Sequence, residues 1–116
     1  MHKSLVKLTA SEVVEGLKKG EISPLELITA AETRILETEP AINALPTLCF
    51  ERARACARSL MEKLKDGSEN SRGWLAGLPV AIKDLTDVAG VRTTYGSTIF
   101  KDHVPKASHP LVKRIE

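Results

Sequence analysis

Aromatic side chains are scarce in this sequence: Trp74, Tyr95, Phe50 and Phe100 are all it has, 3% of 116 residues. They are not interleaved with a basic stripe, the pattern that would argue for nucleic acid. Charge of one sign is missing as well. Seventeen Lys and Arg against 15 Asp and Glu leave a net charge of +2, with no basic stripe to argue for nucleic acid. No apolar run approaches the length of a membrane-spanning helix. The opening residues, Met1-His2-Lys3-Ser4-Leu5-Val6-Lys7, have no apolar centre and so do not read as a signal peptide. Cysteine is nearly absent. Cys49 and Cys56 match neither a disulfide framework nor a zinc spacing, and read as buried free thiols in a reducing cytoplasm.

What is present is ordinary globular composition, 42% hydrophobic and 28% charged, in one small domain or a piece of a larger one. The first half reads as helices. Thr9 with Glu12 forms a capping box, and Gly20 closes a helix over 10–19. Ser23, Pro24 and Glu26 repeat the device as N-cap, N1 proline and N3 carboxylate. The second helix is predicted to bury Leu27, Ile28, Ala31 and Ile35 and to end near Glu37, stopped by Glu39-Pro40. A short extended segment is expected over 44–49, where Pro46 argues against a long central strand. A third helix follows from about Glu51 to Lys65, burying Ala53, Cys56, Ala57, Leu60 and Leu64, with Gly67 ending it. Residues 66–73 are the most polar stretch and read as a loop; Trp74 after it reads as a packing residue.

The chain then changes character. Leu78 to Ile82 is a short apolar run entered through Gly77 and Pro79 and ending in Lys83-Asp84. Such a run reads as a strand buried on both faces, too short for a stable helix. Lys83 would then sit at the C-terminal lip of an interior strand, where open α/β sheets place ligands and catalytic groups. Two roles fit a lysine there. It can pair with Asp84 or another acid, or, desolvated by its neighbours, it can lose its proton near neutrality and act as a base. Composition and spacing do not choose between them.

Beyond Lys83, Asp87-Val88-Ala89-Gly90 is turn-like, with Gly90 at a position needing positive φ. Val91 to Tyr95 reads as a second short strand, so the sheet is expected to be mixed. Ser97 could be taken as a nucleophile for Lys83, but a turn serine capping the next segment is the better reading. His2, His103 and His109 stand at no metal-ligand spacing and read as surface residues. Ser108-His109-Pro110 begins a final short helix with Leu111, Val112 and Ile115 on its apolar side. Val80-Ala81-Ile82-Lys83 also matches the strand lysine of protein kinases, but the glycine loop, HRD and DFG elements are missing, as is a phosphate-binding loop.

Gly77-Leu78-Pro79-Val80-Ala81-Ile82-Lys83-Asp84, then Asp87-Val88-Ala89-Gly90-Val91, Thr93-Thr94, Gly96-Ser97 and Val104-Pro105, resembles the first conserved block of the amidase signature family. The resemblance is close over residues 77–116. It implies an α/β fold: N-terminal helices plus the first strands of a mixed β-sheet core covered by helices. Residues 1–116 would be the N-terminal part of one such domain, with a helical segment over 1–67 and the start of the catalytic core over 74–116. It also implies that Lys83 is the base of a Ser–cisSer–Lys triad cleaving carboxamide bonds, with no cofactor and no metal. The expected partner is a small-molecule amide, with no nucleic acid bound directly and no membrane, in the cytoplasm.

The family's two serines lie in a later Gly/Ser-rich segment, and no such segment occurs in these residues. The chain is therefore expected to be truncated and, alone, inactive and prone to self-association through uncovered apolar surface. Within the family, Leu85-Thr86-Asp87-Val88 looks more like a general amidase than the glutaminase component of the tRNA-dependent amidotransferase. The alternative readings are that glutaminase component, or a scaffold fragment without activity.

Overall fold

The computed structural model describes residues 4–65 and 72–116, which fall into two compact units. Of the described residues, the first unit takes 4–45, 50–65 and 72–79, and the second takes 46–49 and 80–116.

The first unit is built by three helices whose starts are chemically specified. α1 spans Ala10–Lys19; the Thr9 hydroxyl accepts from the Glu12 amide, and the Glu12 carboxylate accepts from the Thr9 amide at 2.7 Å. Two orphan donors are thus satisfied reciprocally. α2 spans Pro24–Ile42 and opens with the same box between Ser23 and Glu26. α3 spans Phe50–Leu64. A 3₁₀ turn over Leu5–Lys7 packs against α2, and α2 packs against α3.

Both predicted capping boxes and the left-handed Gly20 closure of α1 are present. The predicted stop of α2 near Glu37 is not. The helix runs on to Ile42 with Pro40 inside it. Pro40 removes one intrahelical bond, to the carbonyl of the exposed Leu36, and the exit is held by other means. Asn43 takes the left-handed conformation at φ 51°, and its amide bonds the Glu39 carbonyl at 2.8 Å. The Glu39 carboxylate then accepts from the Ala44 and Leu45 amides at 3.0 and 2.9 Å.

Val13, Leu17, Leu27 and Ala76 form the core of this unit, flanked by the half-buried Leu5, Leu8, Val14, Ile22, Trp74 and Leu78. Trp74 is the packing residue its sequence position suggested. Each Leu so buried contributes about 1.5–3 kcal/mol. Gly77 has φ +98°, and a Cβ there would stand 2.7 Å from Pro24 Cγ and 3.0 Å from Leu60 Cδ2. Only a glycine lets the backbone pass that close. Arg54 on α3 pairs with Glu32 on α2, both largely shielded, and with Glu51 at 3.0 Å.

The predicted burial on α3 holds in part. Ala57 is buried, and Ala53, Leu60 and Leu64 are half-buried, along a face that Phe50, Arg54 and Met61 share. Cys56 lies beside that face, about 100° around the helix from Ala57, and is exposed. Cys49 is exposed too, so both thiols are free, as expected, but neither is buried. Gly67, expected to end α3, lies outside the described residues.

The second unit has little regular structure: a 3₁₀ turn over Thr98–Phe100 and the short helix α4 over Pro110–Ile115. Val112, 1% exposed, is its best-covered side chain, with Val88, Thr93 and Pro105 also buried. On α4 Ile115 is half-buried, whereas Leu111, expected on the apolar side, is exposed. The predicted turn is present, with Val91 N donating to Val88 O at 3.1 Å and Gly90 at φ +75°.

The sheet is not. Among the described residues there is no strand, neither over 78–82 nor over 91–95, and the expected segment at 44–49 is irregular. A strand exists through a partner's donors and acceptors. Gly90 N bonds Pro105 O at 2.9 Å and Thr93 N bonds His103 O at 3.0 Å, but Pro105 has no N–H to return. Tyr95 then turns into the left-handed region at φ 53° and ends the extended path. Val80 and Ala81 are exposed, so the apolar run is not covered on two faces here. No helix among the described residues is long and apolar enough to cross a membrane.

Candidate active site

The residues singled out by chemistry lie in the second unit, in a loop system tied together by side chains. Lys83 precedes a turn in which the Thr86 amide donates to the Lys83 carbonyl at 2.9 Å. Its side chain is exposed, which corrects the expectation of a lysine hidden at a strand tip. The cause is the one given for the sheet: no described neighbour pairs with the run before it. Lys83 also has no ion-pair partner among the described residues.

Asp84, the acid that could have taken that role, is committed elsewhere. Its carboxylate accepts the Thr94 amide at 2.8 Å through one oxygen and the Thr94 hydroxyl through the other. Its carbonyl accepts the Tyr95 amide at 2.9 Å. The Thr94 hydroxyl, having donated to Asp84, accepts from the Gly96 amide at 3.2 Å. Those hydrogen bonds, first from the Thr94 hydroxyl and then from its amide, hold the Asp84 carboxyl below its ordinary range, with a smaller push from the Arg92 charge. Asp84 thus fixes loop geometry.

A second knot lies beyond it. The Tyr95 hydroxyl donates to the Asp87 carboxylate and stands 3.4 Å from His103 Nε2. The Tyr95 ring meets Phe100 edge-on at 5.2 Å and His103 at 5.6 Å. Asp87 also ties the start of α4, its carbonyl accepting the His109 amide at 2.9 Å. The hydrogen bond to Asp87, then burial and the carboxylate's charge, push the Tyr95 phenol up.

Sequence reasoning missed this knot. Tyr95 reads as a strand residue and His103 as a surface one, yet His103 is half-buried among aromatics. His109 is exposed as expected and caps α4, its Nδ1 accepting from Leu111 N at 3.0 Å. Ser97 is the capping serine it resembles, accepting from Ile99 N at 3.3 Å. A shallow open hollow of about 200 Å³ lies among Arg92, Thr94, Gly96, Ser97, Thr98 and Lys101; Lys83 does not line it. Among the described residues, no three His, Cys, Asp or Glu side chains cluster closely enough to hold a metal ion.

Known proteins give this loop system a context. The A subunit of glutamyl-tRNA(Gln) amidotransferase from Carboxydothermus hydrogenoformans is 38% identical over 112 residues, covering 97% of this chain and 23% of the relative. The protein of the same name from Natranaerobius thermophilus is 39% identical over 111 residues, covering 96% and 22%. A solved structure, described as a vestigial protein complex that reveals the evolutionary origins of an s-triazine catabolic enzyme, superposes with a TM-score of 0.85 at 34% identity. It covers 93% of this chain and 23% of that one. The chain therefore spans less than a quarter of the length of the relatives it matches. The family model described as Amidase matches residues 26–116, a span that contains Lys83, Asp84 and Thr94, and the chain belongs to the amidase signature family.

Proposed function

We propose that this sequence carries the general base of a carboxamide-cleaving enzyme, with Lys83 as that base and residues 74–116 as the start of the catalytic core. The observation that supports the reading is the family match across residues 26–116, within which Lys83 is followed at once by a clamped Asp84. In the reaction a nucleophilic serine attacks the amide carbonyl. A bridging serine passes its proton to the neutral lysine, and the amine or ammonia leaves with a proton returned along the same path. Water then resolves the acyl-serine. In that family the two serines belong to a Gly/Ser-rich segment that these residues do not include.

The test is ammonia release from simple carboxamides by the whole protein. Removing a positioned base costs about 10²–10⁴ in rate. Lys83→Ala is expected to lower kcat by that much with the fold intact by circular dichroism; near-normal turnover removes Lys83 from the mechanism. The 116-residue chain alone is expected to release no ammonia above blank.

A second reading is favoured by the names of the relatives: the glutaminase role within a glutamyl-tRNA(Gln) amidotransferase. Glutamine hydrolysis that rises on adding the other components of such a complex and glutamyl-tRNA selects it over the stand-alone amidase suggested by Leu85-Thr86-Asp87-Val88.

A further inference from the structure

We propose that Asp84 is a positioning residue for Lys83, acting through its hydrogen bonds to Thr94 and Tyr95; this rests on the assignment of Lys83 as the base. A lysine side chain has four rotatable bonds and an exposed one explores many rotamers. Catalysis therefore depends on how firmly its backbone origin is aimed. Here that origin is gripped from both sides. The Lys83 carbonyl is held by Thr86 N at 2.9 Å, and the next residue is held at three points by residues 94 and 95. The peptide joining residues 83 and 84 is left little freedom to rotate.

The anchor is itself braced. The Thr94 hydroxyl has a defined direction, giving its proton to Asp84 and accepting one from Gly96 N. Tyr95 keeps an unfavourable left-handed backbone, and its hydroxyl is tied to Asp87. Both carboxylate oxygens of Asp84 are occupied by Thr94, so the residue acts on Lys83 through the chain and not as its counter-ion. Held as an anion by those bonds, Asp84 keeps the clamp closed through neutral pH.

Charge and position can be separated by substitution in the whole protein, reading carboxamide kcat and KM. Asp84→Glu retains the charge but displaces the carboxylate by one methylene. It is expected to lower kcat tenfold or more with KM within twofold, and Asp84→Asn is expected to do the same. Thr94→Val is expected to lower kcat at least threefold, while Thr94→Ser, which keeps the hydroxyl, stays within twofold of the parent. A folded Asp84→Glu or Asp84→Asn with unchanged kcat overturns the inference, as does equal activity of Thr94→Val and Thr94→Ser. If the Asp84 variants do not fold, the Thr94 pair decides. Lys83→Ala, run in parallel, tells the two claims apart. Its inactivity beside fully active Asp84 variants sinks only the positioning role, whereas its activity removes the base and the positioning role together.

Discussion

The phenol of Tyr95 hydrogen-bonds the carboxylate of Asp87 while the Tyr95 backbone sits at φ 53°, so a side-chain contact holds a conformation the residue would otherwise avoid. Tyr95 is the single tyrosine of the sequence, and its phenolate absorbance reports this contact alone. Ionisation is expected above the ordinary 10.0, since the proton is shared with Asp87. A raised acid contributes stability in full below its unfolded value and loses it as pH rises through the folded one. Asp87→Ala is expected to return the titration toward 10.0; an unchanged midpoint would show that Asp87 does not hold the phenol.

Asp84 works in the opposite direction. Its folded value lies below the ordinary 3.8, so its contribution is complete above 3.8 and fades as pH falls through the depressed value. Urea midpoints taken across this acid range are expected to fall with pH in the parent and to flatten in Asp84→Asn.

Gly77 and Gly90 both have positive φ, at +98° and +75°, but only Gly77 faces neighbours at clashing distance, whereas open space surrounds Gly90. Alanine at Gly90 is expected to cost about 1–2 kcal/mol from the backbone alone. Alanine at Gly77 adds the collision with Pro24 and is expected to cost about 1 kcal/mol more or worse. Urea unfolding followed by circular dichroism measures both. Equal costs would mean that Pro24 and Leu60 give way freely.

Cys49 and Cys56 are exposed in the native fold. Both are expected to react with an aromatic disulfide reagent at rates close to those of the unfolded chain, giving two equivalents before denaturant is added. A thiol that appears only on unfolding contradicts the exposure of that cysteine.

These residues also mark what a sequence can reveal. The capping boxes at Thr9 and Ser23 were legible because each is completed within four residues, by Glu12 and Glu26. The strand over 78–82 was not, because a strand is a relation with a partner and none is present among the described residues. Lys83 was legible as a candidate through resemblance, and its clamp only in part: Asp84 adjoins it, but Thr94 is brought to Asp84 by the turn at 88–91. His103 gave no signal at all, since Tyr95 and Phe100 are gathered against it by the 3₁₀ turn over Thr98–Phe100. Cys56 failed for a simpler reason: helical periodicity marks a face and does not measure how wide the covered strip is.

Pro40 deprives α2 of a rung one turn before its end, and the Glu39 carboxylate, outside the helical ladder, catches the amides of Ala44 and Leu45. The exit is consequently held twice by one residue, through the Glu39 carbonyl on the Asn43 amide and through its carboxylate on the two amides beyond. Shortening that side chain by one carbon, as in Glu39→Asp, would free the chain beyond Asn43 while the backbone closure kept the helix itself wound.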